Sequence, residues 1–197
     1  MNRRAFGASA LLATLAACTP PPQPDGSPAP VTSSAVLPPD SIQGAGDPAR
    51  AAIIRAASAF GQPGALVGRP ADAARAIADV EFLTVELTGP RWVNLRLSAT
   101  QMAAARPEWR SALGIPPNAP PQALIDSLYA VRRALMAGRP DAAAAALPPG
   151  LFSPGGGATL ERLANLPPLP QTAAAVAVVE REAARATFDN NRGRPRR

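Results

Sequence analysis

The chain has 197 residues and a formal charge of +6, and all twenty of its basic residues are arginine, with no lysine, no histidine and a single cysteine. Without histidine there is no Ser-His or Cys-His nucleophile pair and no imidazole metal site; without lysine there is no Schiff base and no phosphate-loop lysine. What remains is carboxylate chemistry, arginine clamps and binding, so no metal and no cofactor is expected.

The charge is unevenly placed. Arg3 and Arg4 lie at the start and Arg192, Arg194, Arg196 and Arg197 at the end, which leaves fourteen arginines against fourteen acids from Cys18 to Asn191. The body is therefore neutral, and its charge alone points to no polyanionic partner.

Taken in order, Met1-Asn2-Arg3-Arg4 precedes an uncharged run from Ala5 to Ala17 and then the lone Cys18. This is the basic, apolar, small-residue order of an export signal, and the run is too short to span a bilayer. Leu15-Ala16-Ala17-Cys18 resembles the lipobox of bacterial lipoproteins. That resemblance implies removal of residues 1–17, acylation of Cys18 (diacylglycerol and palmitate chains) and a lipid anchor in the membrane. With Thr19 following the cysteine it further implies sorting to the outer membrane, facing the periplasm. Arg3-Arg4-Ala5-Phe6 is similar to the core of a twin-arginine export signal, so the route, Sec or twin-arginine, stays open.

Residues 18–46 hold eight prolines mixed with Ser, Gly and Thr and read as a disordered tether, because such a stretch buries too little apolar surface to offset its ordering entropy. A helical domain is expected over 47–190. Asp47-Pro48 forms a cap and first turn, and Ile53, Ala57 and Phe60 follow at helical spacing up to Gly61.

The next helix is expected over 71–88 and near the centre of the fold. Ala73, Ile77, Val80, Thr84 and Leu87 share one side, while Asp72, Arg75, Asp79 and Glu86 form a salt-laced solvent face. A hairpin over 83–97 competes, through Leu83, Val85, Leu87, Gly89-Pro90, Val93, Leu95 and Leu97; the longer 3.6-residue pattern favours the helix.

Ser98-Ala99-Thr100-Gln101 reads as a capping box opening a helix that meets Pro107, with a short continuation to Gly114. Residues 121–137 form the clearest helix, with Leu124, Leu128, Val131 and Leu135 in a stripe and Gly138 closing it. Further helices are expected from Pro140 to Leu147, over 158–166 and over 172–188, and 191–197 is a disordered basic tail. The fold class is all-α, a small bundle of six or seven helices behind a Pro-rich tether.

Few residues mark a function beyond Cys18. Arg91-Trp92 and Arg106, Glu108, Trp109 and Arg110 would make a stacking platform for a sugar or an anion if they converged; the competing reading places both tryptophans in the core. Arg69-Pro70, Arg106-Pro107 and Arg139-Pro140 recur at spacings near those of tetratricopeptide arrays, but they match only generic helix starts. The tail resembles an AT-hook, yet an exported protein meets no chromosome, and no nucleic-acid partner is expected. Ser153-Pro154 before Gly155-Gly156-Gly157 lacks any base and reads as a connection.

The sequence thus points to an envelope lipoprotein with a non-enzymatic binding or accessory module, whose partner is an envelope protein or polysaccharide. The alternatives are a carboxylate-dependent glycan-cleaving enzyme, with Glu108 and Glu161 as its solitary acids, and a helical-repeat adaptor.

Overall fold

Asp47 caps the first helix, α1 (Pro48–Phe60): its carboxylate accepts from the Ala49 amide at 3.0 Å, and Pro48 occupies the turn in which an amide hydrogen would have no partner. The computed structural model describes residues 34–42 and 46–192, with side chains as far as 187; the export signal, the lipobox at Cys18 and the last five tail residues lie outside the described residues.

Helix α2 (Pro70–Glu86) is the central element, packed against α1, α3 (Arg96–Leu113), α4 (Pro121–Met136) and α6 (Gly156–Ala164). Every residue from Ala76 to Thr84 is buried. A helix enclosed on all sides needs small residues where neighbours approach, and Ala73, Ala74, Ala76 and Ala78 supply them. The chain continues as a short 3₁₀ segment, Pro90–Leu95, and no strand occurs among the described residues, so the hairpin alternative is not adopted.

Helix α3 departs from expectation at its start and in its middle. It begins at Arg96, so Ser98 lies inside the helix, buried, with its hydroxyl donating to the Glu182 carboxylate of α7 (Pro170–Arg192) instead of closing a capping box. It also runs through Pro107 to Leu113 as one helix. A single missing amide can be carried by a helix whose apolar face is held elsewhere, and here Met102, Ala105, Trp109 and Leu113 are all buried.

Helix α4 buries Leu124, Leu128 and Val131 as its stripe requires, and Gly138 at φ +67 turns the chain so that the Arg139 amide reaches the Ala134 carbonyl at 2.9 Å. The short α5 (Pro140–Ala145) leads through a loop to α6, and α7 lies against α1 and α3. The seven α-helices among the described residues make the fold an all-α bundle.

The packed region begins before Asp47. Ala35 and Leu37 are only 8 % and 6 % exposed and belong to the core. Val36 between them exchanges two hydrogen bonds with the Gln122 side chain, at 2.8 and 3.0 Å, and Asp40 pairs with Arg133 at 3.3 Å. Burial alternates across the three apolar residues Ala35, Val36 and Leu37, so one side of the short segment joins the core while Val36 faces out, which a proline count over 18–46 conceals.

Candidate functional site

Helix α2 places two acids inside the protein, and they differ in what surrounds them. Glu81 is enclosed by α3. Its carboxylate accepts from Arg110 Nε at 2.7 Å and Nη2 at 3.0 Å, from Arg106 Nη2 at 2.7 Å and Nε at 3.2 Å, and from Trp109 Nε1 at 2.9 Å. Arg110 also donates to the carbonyls of Pro116, Pro117 and Ala119, tying the segment before α4 to the same hub. Burial alone would raise the Glu81 pKa, but the hydrogen bonds from Arg110 and Arg106 outweigh it and hold the carboxyl below its ordinary value. With every lone pair directed at a fixed donor, Glu81 is an organising anion for two cations.

Asp79 is the second acid, and it is buried rather than part of a solvent face, because α1 and α4 cover that side of α2. Arg55 of α1 grips it through Nε and Nη2, both at 2.8 Å, and Tyr129 of α4 donates its hydroxyl at 3.1 Å. The third donor of Arg55, Nη1, goes to the Ser41 carbonyl at 3.1 Å. Burial pushes the Asp79 carboxyl above its ordinary value against the pull of Arg55. The Tyr129 hydroxyl is likewise pushed up, first by burial and then by the Asp79 charge.

Asp79 and Arg55 stand at the wall of a cavity of about 280 Å³ between α1 and the start of α2. Arg69, Asp72 and Arg75 line it further out. Arg69 meets Asp72 at 2.6 Å and Arg75 meets it at 3.2 Å. Beside it lies a groove of about 430 Å³ formed by Phe60, the loop 61–68 and the segment 166–170. The two spaces adjoin, sharing Ala59, Ala65 and Leu66 in their walls.

The chemistry of the groove follows from its sequence. Pro167, Pro168 and Pro170 carry no amide hydrogen, and Phe60, Leu66, Val67, Leu166 and Leu169 supply the large apolar side chains of its lining. Its loop is held at one end by the Gly68 amide on the Ala164 carbonyl at 2.7 Å.

The residues expected to form a platform do not meet in one place. Arg106, Trp109 and Arg110 surround Glu81, with Trp109 fully buried. Arg91 stacks over Trp92 with its guanidinium carbon 4.6 Å from the ring centre, pairs with Asp47 and lies near Glu86, and Trp92 donates to Glu86 at 2.9 Å. Glu108 caps α7, accepting from the amides of Gln171 at 3.1 Å and Thr172 at 2.7 Å and from the Thr172 hydroxyl at 2.6 Å. Tryptophan-arginine adjacency here reflects ion pairs whose acids come from other elements, buried at Glu81 and partly exposed at Arg91.

Among the described residues no group of three metal-ligating side chains gathers, and no helix is long and apolar enough to cross a membrane. In comparisons with known protein families, curated proteins and solved structures, nothing matches this chain.

Proposed function

We propose that this chain is a lipoprotein of the cell envelope, anchored by acyl groups on Cys18 to a membrane, the outer one facing the periplasm, and carrying a helical domain that binds a partner without catalysing a reaction. The anchor rests on Leu15-Ala16-Ala17-Cys18 behind an uncharged run. Several acyl chains suffice for stable attachment, at about 0.8 kcal/mol per buried methylene.

The binding reading is carried by one observation: an apolar groove adjoins a charged cavity whose two acids are both already engaged by arginine. Concave apolar surface with a few convergent polar groups is the usual form of a binding site. Its partner is an envelope component, a protein or a polysaccharide.

A glycan-cleaving enzyme is favoured by one fact, that Asp72 and Asp79 line a single cavity and Asp79 has a raised pKa, as a general acid requires. Against it, the Asp79 carboxylate is bound on both oxygens by Arg55 and has no proton to give in that state.

The test is metabolic labelling with palmitate and crosslinking from native membranes, on the wild type and Cys18→Ala. Label in the wild type alone, with a reproducible crosslinked partner lost in the variant, is the expected result. An unlabelled wild type would overturn the anchor. Turnover of peptidoglycan by the purified protein, abolished by Asp79→Asn, would replace the binding reading with the enzymatic one.

A further inference from the structure

We infer that the joined groove and cavity form one site for a monoanionic amphiphile, a long-chain carboxylate whose chain lies in the groove along Phe60, Val67 and Leu169 and whose head group sits against Arg75. The inference rests on the reading of the domain as a binding module and adds the chemistry of the ligand.

Three observations carry it. The first is adjacency: Ala59, Ala65 and Leu66 border both spaces, and the two alanines are partly exposed, so a single molecule lying across that small-residue rim can reach from the apolar space to the charged one. Each space is near or within the range of about 300–1,000 Å³ typical of small-molecule pockets.

The second is charge. The cavity holds Arg55, Arg69 and Arg75 against Asp72 and Asp79, a surplus of one positive charge, which a single carboxylate neutralises. The donors are unequally committed. Arg55 spends Nε, Nη1 and Nη2 on Asp79 and Ser41. Arg75 gives only Nη2, to Asp72, and among the described residues its Nε and Nη1 have no partner. Nε and Nη1 lie on opposite sides of the guanidinium, so each offers a single charge-assisted hydrogen bond to one carboxylate oxygen rather than a fork.

The third is the exposed apolar surface at the mouths of the two spaces. Ile54, 67 % exposed, borders the cavity and Val67, 55 % exposed, borders the groove. Such side chains lose unfavourable contact with water when an apolar chain covers them.

The test uses the full chain carrying Cys18→Ala, so that its own acyl groups do not compete, and fluorescence titration with cis-parinaric acid below its micellar range and with its methyl ester. Saturable binding of the acid is expected. The ester, and the acid with Arg75→Gln, should bind about tenfold more weakly, the loss of one charged hydrogen bond. Arg75→Gln should leave the ester unchanged, whereas Val67→Asp on the exposed lip should weaken acid and ester together.

Equal affinity for acid and ester, or no saturable binding by a protein whose melting is intact, would overturn the inference. So would binding to vesicles of anionic phospholipid without binding of the monomeric acid, which would assign the surface to a membrane. If the acid fails to bind while crosslinking still captures an envelope partner, the ligand assignment alone falls; acid binding with no crosslinked partner removes the macromolecular partner and keeps the site.

Discussion

At the scale of single residues, the two buried acids of α2, Asp79 and Glu81, are each held on both carboxylate oxygens by arginine. Glu81→Ala would leave Arg106 and Arg110 facing each other without an anion, and breaking a buried pair in this way costs about 3–5 kcal/mol; urea unfolding measures it. The pH dependence has opposite signs at the two sites. Glu81 is held below its ordinary pKa, so its contribution is full above that ordinary value and is lost as pH falls through the folded value. Asp79 is held above its ordinary pKa, so its contribution is full below the ordinary value and is lost as pH rises through the folded value. Unfolding free energies between about pH 3 and 7 should therefore fall less steeply toward acid in Glu81→Gln, and decline less on the way up in Asp79→Asn, than in the wild type. Asp79 was not legible as buried, since with Asp72 and Glu86 it forms a row at spacings of seven that is ordinarily solvated, and Glu81 carried no mark of its own in the sequence. Their partners, Arg55, Tyr129, Arg106 and Arg110, are 24 to 50 residues away. A signal did exist: Ile77, Val80, Phe82 and Leu83 surround both acids on the helix, and a helix apolar in every direction has no wet face to offer them.

At the scale of elements, helix identity followed from periodicity and caps, while helix ends and partners did not. The stripe of α4 and the Asp47-Pro48 start of α1 are local patterns and were readable. The start of α3 was not, because Ser98 is recruited by Glu182 from a distant helix, and a side chain used for tertiary contact is unavailable as a cap. Helix exits offer a sharp comparison. Gly114 and Gly138 both adopt left-handed backbone, at φ +66 and +67. An alanine Cβ at Gly138 would meet nothing within 4 Å, so Gly138→Ala should cost about 1–2 kcal/mol for conformation alone. At Gly114 the same atom would lie 2.1 Å from the Ser153 carbonyl oxygen, so Gly114→Ala must also move the loop before α6. Thermal melts should place Gly114→Ala well below Gly138→Ala; equal losses would mean that the loop yields freely.

At the scale of the whole molecule, the bundle and its central helix were readable from composition and period, but the site was not. The groove joins residues 60–67 to 166–170, two stretches that look like connections when each is taken alone, and only packing makes them face each other. The early segment at Ala35 and Leu37 escaped for a similar reason, since its apolar residues are few and matter only where α4 receives them. Leu37→Ala should lower stability by about 2 kcal/mol, the order of a core truncation, while Val36→Ala at an exposed position should change it little. The contacts of this segment also fix where a mechanical load enters the domain. A pull on the chain ahead of Ser34 is met first by the paired hydrogen bonds between Val36 and Gln122, then by Leu37 in its pocket and Asp40 on Arg133, all bearing on or beside α4. Since α4 is packed on α2, the central helix, and the Ser41 carbonyl is held by Arg55 of α1, a load entering there is shared between α4 and the middle of α1 ahead of the capped start of α1.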